Sequence, residues 1–200
     1  MAREEFIDTY GGKVMNLFMG WDTGTNSVAY AVIGEQDELL LSESLILDKK
    51  TSLEARRNRF VDWVYGVFHM RSMGLDLYSW ESLVAIGIES SYLGFHKNIK
   101  TVQRLSESIG AIRALSLTMF RTRAISPPVF DVGHSTAKKA LTGSGKATKH
   151  GVQQAVLVRF YNSVDSRDTI EGHKLDEHQC DAIAVAVAAR NKWIEAKQGF

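Results

Sequence analysis

The sequence predicts an α/β domain: a mixed five-stranded sheet, an antiparallel meander followed by parallel strands, flanked by helices. Three observations point to it. Residues 18–33 (Phe-Met-Gly-Trp-Asp-Thr-Gly-Thr-Asn-Ser-Val-Ala-Tyr-Ala-Val-Ile) read as a strand, a tight turn and a second strand. Val28, Tyr30 and Val32 alternate there with Ala29 and Ala31, the period of two that marks a strand with a packed face. Leu83-Val-Ala-Ile-Gly-Ile-Glu89 is a near-continuous apolar run, which fits a central strand buried on both faces and parallel to its neighbour. Segments with the apolar spacing of helices separate and follow these runs.

Bulk properties set the outer bounds. The length of 200 residues is one ordinary domain, and a hydrophobic fraction of 44% supplies one core. The formal net charge of +1 gives no global push towards nucleic acid, so any such partner must be met by local patches. Cys180 is the only cysteine, which excludes an internal disulfide and fits a reducing cytoplasm. The first residues, Met-Ala-Arg-Glu-Glu-Phe-Ile-Asp, are acidic and lack the apolar centre of a signal peptide. No apolar run approaches the roughly 20 residues that span a bilayer, so no membrane partner is expected.

Taken in order, residues 1–14 read as a flexible arm ending at Gly11-Gly12, and residues 15–200 as the single domain. Leu17, Phe18 and Met19 lead into Asp22, and Gly24 gives the turn its backbone freedom. A third strand covers residues 39–47 and completes the meander. Thr51-Ser52 can cap a helix running to about Met73, before Gly74, with Phe60, Val64, Val67 and Phe68 on its apolar stripe. Arg56, Arg57 and Arg59 sit near its start and oppose the helix dipole; phosphate contact is one explanation, and solvated surface arginines the more common one.

After the central strand, residues 98–121 form a long helix with Val102, Leu105, Ile109 and Ile112 on one stripe. Its small residues Ser106, Gly110, Ala111, Ala114 and Ser116 suit close approach of another helix, in the sheet packing or in a dimer. A strand over 125–132 carries Pro127-Pro128, which belong at an edge or a strand start. Ser135 and Gly143 read as the serine cap and glycine stop of a short helix. A flexible loop over 144–150 and a helix over 151–162 follow. The last helix covers 176–196, and residues 182–189 are apolar all round, so it is buried.

The chemistry-bearing residues punctuate this frame. A lone carboxylate at the end of a buried strand is costly without a partner, and a metal ion is a common one. For Asp22 alone, an ordinary turn aspartate weighs about equally. Glu89 repeats the placement at the C-terminal edge of the central strand, where open α/β sheets bind ligands. Glu177, His178 and Asp181 share one face at the start of the last helix. Acidic capping is the plain explanation of that face, but it does not account for Asp181 beside an apolar run. Between Asp131 and Asp165 there is no acid, while Lys138, Lys139, Lys146, Lys149 and Arg159 fall there with His134 and His150. Glycines among the lysines favour contact with a phosphate backbone over a merely solvated loop. Gly-Ser-Gly-Lys is not a Walker A loop, because the full spacing is missing.

The ordered set, with Gly-Trp-Asp-Thr-Gly-Thr-Asn-Ser, Ala-Ile-Gly-Ile-Glu-Ser-Ser-Tyr, Lys-Lys-Ala-Leu-Thr-Gly-Ser-Gly-Lys-Ala-Thr-Lys and Asp-Glu-His-Gln-Cys-Asp-Ala-Ile as its segments, resembles a RuvC-type Holliday-junction resolvase of the ribonuclease H-like superfamily. The resemblance covers most of residues 16–195. It implies that Asp22, Glu89 and Asp181 are catalytic carboxylates and that His178 stands where members carry a fourth acid or a histidine. It implies a homodimer that grips a four-way DNA junction and makes two symmetric nicks. Lys138 and Lys149 fall at DNA-contacting positions, with Lys139 and Lys146 in the same basic stretch; Tyr92 or Phe95 lies near the aromatic presented at the junction centre. Metal chemistry fits this set: two Mg²⁺ ions roughly 4 Å apart activate water and neutralise the phosphate, with Mn²⁺ as a substitute. Asp22 is the candidate to bridge both ions, Glu89 to hold one and Asp181 the other. His178, a softer donor, can ligate Mn²⁺, orient or deprotonate the water, or neutralise the leaving group, and Glu177 is its substitute.

Three rival readings stand beside this one, the second still a nuclease and the third not an enzyme. Asp-x-Gly-Thr-x-x-Ser also resembles the first phosphate loop of actin-like ATPases, a fold that needs two such domains. A ribonuclease H-like nuclease would act on other nucleic acids, and a non-catalytic junction-binding protein would not need the acids.

Overall fold

Strand β1 (Leu17–Thr23) is buried along its whole length, and that fixes its place at the centre of the sheet. The computed structural model describes residues 15–69, 82–90, 99–121, 126–162 and 170–199. β1 pairs antiparallel with β2 (Ser27–Gly34), which pairs antiparallel with β3 (Leu39–Ile46). On its other side β1 pairs parallel with β4 (Leu83–Ser90), and β4 with β5 (Val129–Gly133). The sheet order is β3-β2-β1-β4-β5, the expected mixed sheet.

Alternation of side chains assigns each face of the sheet its own core. Met19, Trp21, Tyr30, Ile86 and Ile88 face helix α1 (Leu53–His69) and helix α2 (Ile99–Arg121). Trp21 sits there within 6.0 Å, ring centre to ring centre, of Tyr30, Trp63 and Phe68. Phe18, Ala29, Ala31, Ala85 and Val132 face the other way, towards α3 (His134–Thr142), α4 (Lys149–Tyr161) and α5 (Glu177–Gln198). α5 is the buried helix the sequence predicts: residues 182–190 are all below a tenth exposed.

Two glycines let α5 lie directly on the sheet. A Cβ on Gly20 would collide with the carbonyl oxygen of Ala182 and the backbone nitrogen of Ala186, and would stand 2.8 Å from the Ala186 Cα. A Cβ on Gly87 would meet Val185 and the Ala189 methyl at 3.0 Å. Helix backbone therefore rests against strand backbone.

Several boundaries differ from expectation. The prolines precede β5 instead of lying in it: the Pro128 carbonyl accepts from the Ile86 amide at 3.0 Å, and the ladder begins at Val129. That suits residues without an N–H to donate. α3 starts at His134 with Gly133 as its N-cap and no side-chain capping bond, so Ser135 is not the cap; Gly143 does end it, at φ 79°. α4 begins at Lys149, two residues early, because Thr148 caps it by accepting from the Gly151 amide at 3.1 Å. The basic loop is correspondingly shorter. On α2, Ser116 is buried and donates to the Ile112 carbonyl, so it is not part of an exposed small-residue face. The arm over 1–14 and the end of the first helix beyond His69 lie outside the described residues.

Candidate active site

The period of two along the strands decides where the acids stand. Gly20 faces α5, so Asp22, two residues on, faces the same way at the end of β1. Gly87 and Glu89 repeat this on β4, and the pairing of Trp21 with Ile88 brings the two carboxylates to one edge. The Thr23 hydroxyl donates to the Glu89 carbonyl at 3.0 Å and ties the two strand ends together. α5 arrives over Gly20 with Ala182, which places Asp181 beside Asp22.

The start of α5 is fixed by a capping box. Asp176 Oδ1 accepts from the Gln179 amide and Gln179 Oε1 accepts from the Asp176 amide, each at 2.8 Å. Gln179 also donates to the Ser42 carbonyl at 2.9 Å, and the Ser44 hydroxyl donates to Asp176 Oδ2. Asp176 is thus a cap held by β3. The first polar turn of α5 has two duties, capping by Asp176 and display of His178 and Asp181.

Asp22 and Glu89 are 7% and 8% exposed, and each has a histidine on it. His178 Nδ1 lies 3.0 Å from Asp22 Oδ2, with the Ser27 hydroxyl 3.4 Å from the same nitrogen. His134 Nδ1 lies 3.0 Å from Glu89 Oε1. The His178 hydrogen bond to Asp22 raises the imidazole above its ordinary range, against the effect of its own burial. Burial, and then the charge of Asp22, push Asp181 up to about 6, although His178, Lys138 and Lys149 pull the other way. Asp181 is therefore a carboxyl kept short of compensating positive charge.

The lysines divide. Lys138 Nζ donates to the Ala147 carbonyl at 2.8 Å, bracing the loop after α3. Lys149 donates to Glu177 at 2.7 Å, a bond that raises the ammonium. Glu177 is therefore turned towards Lys149, and its Oε1 is 3.8 Å from His178 Nε2. Both lysines are near enough to act on Asp181; Lys139 and Lys146 are exposed and have no side-chain contact with the acids among the described residues. Tyr92 and Phe95 lie outside the described residues. Arg57 forms a two-pronged pair with Glu107, and Arg56 donates to Asn26 Oδ1 at 3.1 Å. His134 is the site residue that sequence reasoning placed only in the basic interval. Its position at the end of β5, next to the strand that carries Glu89, is the signal that could have found it.

The donor set suits hard divalent cations: carboxylate oxygens from three elements, one of them charge-starved. Among the described residues no three His, Cys, Asp or Glu side chains close round a common point. The acids form an open set, with His178 and His134 on two of their oxygens. No described helix is long and apolar enough to cross a membrane.

Comparison with known proteins gives a consistent result. The family model described as crossover junction endodeoxyribonuclease RuvC matches residues 18–189. Among solved structures, Thermus thermophilus RuvC in complex with a Holliday junction substrate has 19% identity and a TM-score of 0.64. That match covers 90% of this chain and 96% of the other. A second Thermus thermophilus RuvC structure has 19% identity and a TM-score of 0.61, covering 92% and 96%. The yeast mitochondrial Holliday junction resolvase Ydc2 has 12% identity and a TM-score of 0.52, covering 90% and 80%. A search of curated proteins finds no significant match. The sheet order and flanking helices are those of the RuvC, ribonuclease H-like fold.

Proposed function

The chain belongs to the RuvC family of crossover junction endodeoxyribonucleases, and from that premise we propose that it resolves four-way DNA junctions by paired, symmetric nicks, with Asp22, Glu89, His178 and Asp181 as the catalytic set. It is a metal-dependent nuclease of the Holliday-junction resolvase class. The observation that carries the residue assignment is the meeting of Asp22, Glu89 and Asp181 at one sheet edge, with Asp181 pushed up by burial and by Asp22.

Asp22, Glu89 and Asp181 would hold the divalent cations, Mg²⁺ with Mn²⁺ as a substitute. Bound divalent cations supply an activated water and neutralise the phosphate. The chain does the positioning. Gly20 and Gly87 set the distance of α5 from the sheet, and the Asp176–Gln179 box sets where α5 begins. His178, held at 3.0 Å from Asp22, orients the attacking water or meets the leaving oxygen. Lys138 and Lys149 take the flanking phosphates, while Lys139 and Lys146 extend the basic surface. A homodimer suits two symmetric nicks. Ser106, Gly110, Ala114 and Leu117 lie on one exposed face of α2, where a Cβ on Gly110 would meet nothing within 4 Å.

The test is cleavage of a labelled synthetic four-way junction beside linear duplex and an RNA–DNA hybrid, with and without Mg²⁺. Paired symmetric nicks on the junction alone are expected. Cutting of the hybrid instead would keep the metal site and move the substrate to that of a ribonuclease H; tight junction binding without cutting under Mg²⁺ or Mn²⁺, even with a randomised junction core, would make it a binding protein.

A further inference from the structure

On the face of the sheet away from α5, a cavity of about 260 Å³ opens between α1 and α2 beside the β1–β2 turn. Its walls are apolar: Leu47, Leu53, Phe60, Val61 and Ala111. Leu53 and Val61 are 37% and 42% exposed, so the mouth presents apolar surface to solvent. Its charged lining consists of Arg56, Arg57, Arg104 and Glu107, and the Arg57–Glu107 pair cancels itself. That leaves Arg56 and Arg104, neither of which has a carboxylate partner among the described residues. Arg56 Nε is buried without a hydrogen-bond partner. Two guanidinium groups in one lining with no carboxylate to offset them favour an occupant that carries negative charge.

The cavity opens beside the turn that follows Asp22. Thr25 lines it and is three residues from Asp22, at most about 11 Å of chain. Asn26 accepts from Arg56, and the next residue, Ser27, places its hydroxyl 3.4 Å from His178. An occupant therefore sits within one or two nucleotides of a phosphate held at Asp22.

We propose that this cavity takes the base of one unpaired nucleotide next to the cut phosphate, with Arg56 and Arg104 on the phosphate that flanks it. The apolar walls, Phe60 among them, cover the apolar face of a base, and the Arg56 and Arg104 guanidinium groups pair with its phosphate. The cost of freeing a base is least beside a crossing, where strand exchange interrupts the stacking of the duplex, so occupancy selects branched over linear DNA. The proposal rests on the reading of Asp22 as the cutting centre, but its test does not use cleavage.

Binding is measured in EDTA with the full chain, against junctions that each carry one abasic residue within three nucleotides of the crossing. At one position the wild-type protein loses affinity by roughly tenfold, the effect of removing one stacked base. Val61→Trp and Ser108→Trp, which fill the mouth from two helices, weaken the intact junction by a similar factor and abolish the abasic effect. Arg56→Gln lowers the slope of log affinity against log salt by about one, and with it the affinity. Circular dichroism melts check that the variants fold, and the two tryptophan sites are independent of each other. The proposal is overturned if no abasic position costs more than twofold, or if the abasic effect persists unchanged in both filled variants. It is equally overturned if the filled variants bind junctions normally but lose self-association in sedimentation, since the cavity would then receive a protein partner. Failure of Asp22→Asn to abolish nicking would overturn the catalytic assignment and leave these binding results standing.

Discussion

Burial and the charge of Asp22 hold the Asp181 carboxyl up at about 6, so in the absence of an ion the site destabilises the fold at neutral pH. For an acid with a raised folded value, the native state binds more protons than the unfolded chain between about pH 4 and pH 6, and stability falls as pH rises through that window. Asp181→Asn removes the penalty. Thermal melts of metal-free protein at pH 7.5 are expected to show the variant more stable than wild type by about 1–3 kcal/mol, a difference that fades towards pH 4. An equal or lower stability at pH 7.5 would contradict the reading of Asp181 as a charge-starved ligand. His178 slopes the same way at higher pH: its raised value means that the Asp22 pair contributes fully below about pH 6.5 and is lost as pH rises through the folded value. At this scale Asp22, Glu89, His178 and Asp181 were legible as polar residues at the ends of apolar elements. His134 was not, because its contact with Glu89 depends on the β4–β5 register, in which Glu89 pairs with Val132 next to Gly133.

At the scale of elements, the site is a consequence of how closely α5 approaches β1 and β4. The Gly-x-Asp spacing at 20–22 and the Gly-x-Glu spacing at 87–89 are both in the sequence, and together they say that each acid shares a face with a position that must lack a side chain. Their meaning shows only once the last helix is known to lie on that face. Gly20→Val is therefore expected to lower stability by about 3 kcal/mol or more, since backbone atoms of α5 cannot move aside as a side chain can. Gly66→Ala is the control: Gly66 lies on α1 with nothing within 4 Å of its would-be Cβ, and the change should stabilise by about 0.5–1 kcal/mol. Urea unfolding of the two variants makes the comparison, and similar effects would mean that α5 is not seated on Gly20. The strands and long helices were readable from their periods of two and 3.6. Helix starts were less so: Ser135 had the right residue type for a cap, while the cap position fell on Gly133, where β5 turns directly into α3.

For the whole molecule, a net charge of +1 hides a separation of charge along the chain. Asp22, Glu89 and Asp181 stand at the sheet edge, Lys138 and Lys149 act on Asp181, and Lys139 and Lys146 continue the basic stretch on α3 and in the loop after it. Exchanging all four lysines for glutamine should weaken junction binding and flatten its salt dependence, by up to about 0.9 for each phosphate no longer neutralised. An unchanged slope in binding titrations from low to moderate salt would place the DNA elsewhere. The fold class was legible because meander, central strand and buried last helix each have their own hydrophobic pattern. The cavity between α1 and α2 was not, since Arg56, Thr25 and Arg104 meet only through tertiary packing.

We assign to Asp22 and its neighbours the cutting of branched DNA and not merely its binding. The most direct measurement is single-turnover cleavage of a labelled four-way junction in Mg²⁺ by wild type and Asp22→Asn, with junction affinity measured on the same preparations. The expected result is loss of nicking by at least 10³-fold, on the order of 4 kcal/mol in the barrier, with affinity changed less than threefold. Nicking retained by pure Asp22→Asn protein, or cleavage and binding lost together, would contradict the account.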